Sequence, residues 1–549
     1  MRGFSHLLDR LVLTPQRNGK LKLLRDYFAA TPDPERGFAL AVMTGELSLP
    51  GARPAMLREL IQARMDPVLF ALSYDYVGDL AETIALAWPE KDPAGRRNSE
   101  LHLSDIVTAL LHSSRRETPA LVEAWLDSSD SSVRYALLKL LTGGLRVGVS
   151  ARLAKTALAQ LGTRSTDEIE EIWHGLKPPY EALFAWVEGR GPVPVNENPA
   201  PFRPAMLAHP IQPEDFEKLA PGDFSAEFKW DGIRVQASAG KAPGGQLKRA
   251  LYSRTGEDIA RAFPDLVDAL NADMAIDGEL LVLIDGRVQP FNVLQQRLNR
   301  KTVSAKMMTA YPAHIRAYDL LARNGEDLRP LPFAERRRHL EQAVAELDSA
   351  RIDISPLIPV KSWDEAAAAR DNPAGFGAGR DADAVEGLML KRRDSPYVAG
   401  RPRGPWFKWK RDPHSIDAVL MYAQRGHGKR SSFYSDYTFG VWRQSELVPV
   451  GKAYFGFTDE ELKEIDRFVR NNTINRFGPV REVIHTMETG LVLEVAFEGL
   501  NRSTRHKSGV AMRFPRIARL RWDKPPAEAD RIETLEALLP REDRVQSVT

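Results

Sequence analysis

The chain has 549 residues, 43% of them hydrophobic and 27% charged, with a net charge of +2 and no cysteine. That length is too great for one core and predicts roughly three or four domains. The missing cysteines exclude disulfides, thiol catalysis and cysteine-ligated zinc. The near-neutral balance excludes a whole-domain field for polyanions: residues 1–200 carry 23 Lys and Arg against 25 Asp and Glu, so any nucleic-acid site must be a local cluster.

Residues 1–190 read as helical. Apolar residues recur at three-to-four spacing in Ser5–Val12, Lys20–Phe28, Ala55–Ile61 and Val133–Leu141, which predicts amphipathic helices. Ser131-Ser132 and Ser165–Asp167 are the expected N-caps. Between Leu140 and Ser150 lies a Gly-rich connector with one arginine, Arg146, followed by the helix-like Ala151–Leu161. Such a connector can turn backbone N–H groups toward a phosphate, or can simply be a packing loop. The N-terminus has no apolar h-region, and no apolar run approaches the ~20 residues of a membrane span, so a cytoplasmic, nucleoid-associated protein is expected.

A Pro- and Gly-rich linker covers 191–204. From 205 to 412 the pattern alternates strands and helices, which predicts an α+β domain. From 413 to 535 it changes to short strands with Gly-rich turns, such as Ala418–Tyr422, Thr438–Trp442 and Leu491–Phe497, and a tail of 536–549 follows.

The chemistry gathers around Ala226-Glu227-Phe228-Lys229-Trp230-Asp231-Gly232-Ile233-Arg234. A lysine amine is a poor nucleophile until burial or neighbouring cations depress its pKa. With an arginine near, the segment fits covalent capture of a phosphoryl group. Alone it also reads as a strand ending in an Asp-Gly hairpin, with Lys229 a solvated edge residue. Five further segments follow in order: Tyr252–Gly256 with Arg254, Ala275–Leu280 with Glu279, His314–Leu320 with Tyr318, Val385–Lys391 with Glu386, and Trp406–Lys410 with Lys408 and Lys410. They offer cations for phosphates, carboxylates for a divalent metal or ribose, and a ring for a base. Lys408 and Lys410, at i and i+2, share one strand face.

This ordered series resembles the covalent nucleotidyltransferases, and specifically the ATP-dependent DNA ligases, from the Leu145 region to Lys524. The resemblance implies an all-α DNA-binding domain, an α+β nucleotidyltransferase (adenylation) domain and an all-β OB-fold domain. It implies that Lys229 takes AMP from ATP and that Glu227 reads the adenine amino group. Arg234 and Arg254 would hold phosphates, including the 5′-phosphate of a nick. Glu279 would contact ribose or organise metal, Tyr318 would stack on adenine where the family usually has phenylalanine, and Glu386 would be linked to metal. Lys408 and Lys410 would neutralise the α-phosphate. Arg401 matches a phosphate-binding position, although Pro402 replaces the adjacent arginine of the family pattern. The Arg521-Trp522-Asp523-Lys524 stretch resembles the sixth motif, whose Arg521, Asp523 and Lys524 would orient pyrophosphate. Arg146, Arg425, Lys429 and Arg430 would meet DNA. Mg2+ or Mn2+ is the implied cofactor and ATP the cosubstrate. Nicked duplex DNA is the implied partner of a clamp-like monomer, any repair proteins being separate chains. An RNA ligase or capping enzyme, an NAD-dependent ligase and a non-enzymatic DNA clamp are the competing readings. The absent cysteine zinc site disfavours the NAD-dependent one.

Overall fold

The computed structural model describes residues 1–47, 49, 53–89, 101–298, 300, 302–425, 434–504 and 506–539. The chain divides into two compact units, one comprising Met1–Trp363 with Met389–Lys408, the other Asp364–Leu388 with Trp409–Thr549. Among the described residues no helix is long and apolar enough to cross a membrane.

The first unit opens with helices. Arg2–Leu13, Arg17–Ala30, Pro54–Gln62 and Ser131–Thr142 cover the predicted runs, and Ala151–Ala159 ends two residues short of the expected Leu161. Their apolar stripes meet in one core that includes Phe4, Leu8, Leu24, Phe28, Leu137, Leu158 and Phe184, all at most 1% exposed. Ser165 caps its helix through a reciprocal capping box with Glu168. The Ser131-Ser132 cap is corrected. Asp130, one residue earlier and in extended backbone, accepts from the Val133 N–H at 2.9 Å, while Ser132 donates to Asp9. The connector before Ser150 is pinned from inside: Lys20 donates to the Val147 carbonyl. Arg146, at φ 52°, therefore points outward with its side chain 76% exposed and within 3.7 Å of Asp79.

Two sheets follow in the same unit. The strands are β1 (His209–Pro210), β2 (Phe224–Trp230), β3 (Ile233–Lys241), β4 (Leu247–Ser253), β5 (Met274–Ile284), β6 (Arg287–Val288), β7 (Ala313–Arg323), β8 (Glu326–Asp327), β9 (Ile352–Ile354), β10 (Leu357–Ile358), β11 (Val385–Arg392) and β12 (Trp406–Lys410). One sheet runs β4-β3-β5-β7-β8, with β6 on β5 and β9 on β7. The other, completed in this unit by Met389–Arg392 and Trp406–Lys408, runs β1-β12-β11-β2-β10. Val235, Ile276, Leu280, Ile315 and Leu340 fill the core of the first sheet. The helical segment is tied to the sheets by Arg329, which makes two hydrogen bonds to Glu171 at 2.9 and 2.6 Å. His174 sits edge-on to Phe202, and burial pushes its imidazole down to about 4, so it packs there uncharged.

The second unit is β-rich. Its strands are β13 (His414–Arg425), β14 (Tyr434–Arg443), β15 (Glu446–Ala453), β16 (Thr473–Phe477), β17 (Val480–Val483), β18 (Val492–Phe497), β19 (Gly499–Arg502), β20 (Val510–Arg513) and β21 (Arg516–Arg521). The long β13 organises them. It pairs with β14 along one edge, and along the other first with β18 and then, past a bulge, with β17. β18 in turn carries β21. The amphipathic helix Asp459–Asn471, capped by Thr458 and Glu461, buries Leu462, Ile465 and Val469 in this core.

Candidate active site

Lys229 stands where the chain leaves one sheet for the other. β2 pairs in the second sheet and β3 in the first, so Asp231-Gly232 is a sheet-to-sheet corner, not a hairpin turn. Period-two alternation puts Phe228 and Trp230 on one face of β2 and Glu227 with Lys229 on the other. Glu227 is 1% exposed, and Lys229, nearer the corner, is half-buried. Gly232 makes the corner possible. A Cβ there would lie 2.5 Å from the Leu280 carbonyl oxygen and 2.8 Å from Glu279 Cγ. Gly232→Ala is expected to cost about 1–3 kcal/mol through this overlap and to slow AMP transfer to Lys229, read by thermal unfolding and self-adenylylation together.

Glu227 is held by two cations, Lys391 Nζ at 3.2 Å and Arg337 Nη1 at 3.4 Å. Lys391, 1% exposed, also donates to the Tyr318 carbonyl at 3.1 Å, and its ammonium lies 4.4 Å from the Tyr318 ring centre and 4.7 Å from that of Trp406. Burial lifts the Glu227 carboxyl and lowers the Lys391 ammonium, each opposed by the other's charge. Tyr318 is half-buried, and burial, then Asp277, holds its phenol well above the usual range, so it remains protonated.

Arg234 is drawn inward. It makes paired hydrogen bonds to Asp277, donates to the Met206 carbonyl and contacts the Tyr397 hydroxyl, which itself donates to Asp277 at 2.7 Å. Its guanidinium carbon is 5.9 Å from the Tyr318 ring centre. Glu279 on β5 lies opposite Arg234 on β3 and opposite Arg316 on β7. The fold thus gathers Glu227, Tyr318, Arg234 and Glu279. Arg254, on the turn after β4, and Arg401 are exposed. Lys408 lies on β12 opposite Pro210 of β1.

In the second unit, Glu386 faces Arg513 at 3.5 Å and Lys410 at 4.0 Å, and Lys410 also holds Glu498 at 3.0 Å. Arg521 pairs with Asp523 at 2.9 Å and with Asp417 of β13 at 3.1 Å, and Lys524 reaches the same Asp417 oxygen at 2.7 Å. The Arg521 hydrogen bonds hold the exposed Asp523 carboxyl down to about 2. Arg425 closes β13 with its guanidinium 5.8 Å from the Tyr434 ring centre. Lys429 and Arg430 lie outside the described residues.

Family comparison places the sequence as a whole. The family model "ATP dependent DNA ligase domain" matches residues 205–410, and "ATP dependent DNA ligase C terminal region" matches 430–524. A probable DNA ligase of Anaeromyxobacter sp. is 32% identical over 552 residues, which cover 97% of this chain and 97% of the relative. The chain belongs to the ATP-dependent DNA ligases. A probable DNA ligase of Koribacter versatilis is 34% identical over 73% of this chain and 71% of its own. The DNA ligase of Thermococcus onnurineus is 27% identical over 99% and 98%. The solved structure Pmar-Lig_PreS3 is 15% identical with a TM-score of 0.57, covering 94% of this chain and 99% of its own, a likeness of fold.

Several partners of the motif residues escape motif reading: Arg337, Lys391, Asp277 and Tyr397 in the first unit and Asp417 in the second. A faint signal exists for three of them. Asp277, Lys391 and Asp417 each interrupt or close an apolar run (Ala275-Ile276, Leu388-Met389-Leu390 and Ala418-Val419), where a charge implies a buried partner. Among the described residues no three His, Asp or Glu side chains converge as a metal cage. The carboxylate of Glu279 is a hard oxygen donor of the kind that suits Mg2+, which takes only one or two carboxylates and keeps waters and substrate phosphates in most of its shell.

Proposed function

We propose that this ligase seals nicks in duplex DNA by carrying AMP on Lys229. The observation that supports this is the position of Lys229. It stands at the corner between two sheets, two residues along β2 from the Glu227–Lys391 pair that leads to Tyr318. In this reading Tyr318 offers its face to adenine and Glu227 its carboxylate to the exocyclic amine. The neutral Lys229 amine attacks the α-phosphorus of ATP; an N–P bond forms, the amine gives up a proton, and pyrophosphate leaves with the electrons of the broken P–O bond. A 5′-phosphate oxygen of the nick then attacks the same phosphorus, the N–P bond breaks and the amine regains a proton. Finally the 3′-hydroxyl attacks the 5′-phosphate, loses its proton and expels AMP.

Arg254, Arg401, Lys408 and Lys410 supply positive charge for these phosphates. Arg234 acts from its Asp277 pairing, as a brace beneath the base or, released, as a phosphate ligand. Mg2+ or Mn2+ would neutralise phosphate charge and align the leaving group. Glu279 and Glu386 are the carboxylates proposed for it, and Glu386 faces Arg513 and Lys410.

We assign the organisation as a helical DNA-binding domain over 1–190, an adenylation domain over 205–412 and an OB-fold over 413–535. The antiparallel pairing of the long β13 with β18 and then β17 along one edge supports the last. A monomer closing on the duplex, with exposed Arg146 and Arg425 against phosphates, fits repair, replication or recombination. Arg521, Asp523 and Lys524 would orient pyrophosphate in the first step only.

The test is a nick-sealing assay run with ATP and with NAD, on nicked DNA and on nicked RNA duplexes. Sealing of DNA with ATP is expected; preference for NAD or RNA overturns the reading. In the same assay Asp523→Ala and Lys524→Ala should slow self-adenylylation by about a hundredfold while sparing pre-adenylylated nicks. Equal loss in both steps would remove these residues from pyrophosphate.

A further inference from the structure

We propose that Asp417 is a positioning residue for the first step, a fixed carboxylate that gathers Arg521 and Lys524 into one pyrophosphate grip. The inference rests on the reading above, in which those two cations act on the leaving group. The geometry is specific. One oxygen, Oδ2 of Asp417, accepts from Arg521 Nη1 at 3.1 Å and from Lys524 Nζ at 2.7 Å. The Asp417 side chain is 13% exposed, whereas that of Asp523 is 69% exposed and pairs with Arg521.

The backbone that carries this carboxylate is anchored on both sides. Asp417 lies opposite Glu494 in the β13–β18 ladder. Its N–H donates to the Asp530 carboxylate at 2.7 Å, and the Asp530 N–H donates to its carbonyl at 2.8 Å. Arg521, by contrast, ends β21, and Lys524 lies beyond the turn that follows. Two long side chains at a strand end repel each other and have many rotamers. A multiply charged leaving group is gripped only if both ammonium and guanidinium are close together at the moment of bond breaking. A rigid anion between them offsets the repulsion and limits the rotamers, leaving two Lys524 N–H donors for phosphate oxygens.

The experiment compares full-length parent, Asp417→Asn and Asp417→Glu in ATP-driven self-adenylylation and in sealing of pre-adenylylated nicks. The asparagine variant keeps the shape and removes the charge. It is expected to lose self-adenylylation by about ten- to a hundredfold, mostly in the rate and not in the KM for ATP, and to seal pre-adenylylated nicks at close to the parent rate. The glutamate variant keeps the charge but moves it outward, and should lose the first step in the same direction by a smaller factor. If asparagine unfolds the domain, the glutamate variant carries the test. Equal loss in both assays, or none in either variant, overturns the proposal. Combining Asp417→Asn with Arg521→Ala and Lys524→Ala separates the two ideas. If the cation variants spare self-adenylylation, the pyrophosphate reading fails. If they impair it and Asp417→Asn still adds a further full loss, only the positioning role fails.

Discussion

Lys229→Ala is expected to leave no covalent AMP adduct. Alanine removes the nitrogen, so no N–P bond can form, and in the stretch from β2 to the start of β3 (224–234) Lys229 is the sole lysine of the sequence. Lys391 is near in space but is 1% exposed and committed to Glu227 and the Tyr318 carbonyl. Incubation with labelled ATP, followed by denaturing electrophoresis, reads the adduct directly. The parent should carry label that nicked DNA discharges; a labelled alanine variant would remove Lys229 from the chemistry. Sealing of pre-adenylylated nicks should survive in reduced form, because that step needs the phosphate-binding groups and not a covalent bond to the lysine.

The second large effect is expected at Lys391. Lys391→Met keeps the bulk of the side chain and deletes its charge, leaving Glu227 buried with Arg337 at 3.4 Å as its remaining cation. Removing one partner of a buried ion pair costs about 3–5 kcal/mol, and the surviving Arg337 contact places this case toward the lower end. The loss should depend on pH with a definite sign. Burial already lifts the Glu227 carboxyl above 4.5, and deleting Lys391 removes the largest opposing charge. A carboxyl with a raised folded pKa takes up a proton on folding, so its neutral form favours the fold at low pH and that advantage is lost as pH rises through the folded value. The variant's deficit should therefore be smallest near 4.5 and widen toward neutrality and above. Thermal unfolding of parent and variant across that window checks it; a deficit that grows on acidification would show that Glu227 is not the group left unpaired. ATP binding should weaken alongside, because the same ammonium lies 4.4 Å from the Tyr318 ring.

What could be read from the residues alone was what depends on neighbours in the chain. Helices such as Arg17–Ala30 were visible because their apolar period is local, and Lys229-Trp230-Asp231-Gly232 because its spacing is. The cap at Asp130 was missed by one position, since serine and aspartate compete for the same role and only backbone angles decide. The partners of the motif residues were hidden for a different reason. Glu227 and Lys391 are 164 residues apart and Asp417 and Lys524 are 107 apart, and no periodicity carries across such distances. Spacing also could not distinguish a hairpin from a corner at Asp231-Gly232. Both need a tight turn, and only strand pairing reveals that β2 and β3 belong to different sheets.

The two compact units are not consecutive lengths of polypeptide. The segment Asp364–Leu388 belongs with Trp409–Thr549, and Met389–Lys408 returns to the first body. No single cut can therefore release either body whole. A cut near 412 leaves 364–388 and Lys410 attached to the wrong partner, with Glu386 severed from Arg513 and Lys410 from Glu498. This interleaving makes Glu386, Lys410 and Arg513 hostages of one another in any shuffling of domains between relatives: an exchange of the C-terminal part must carry the inserted segment with it or forfeit that cluster.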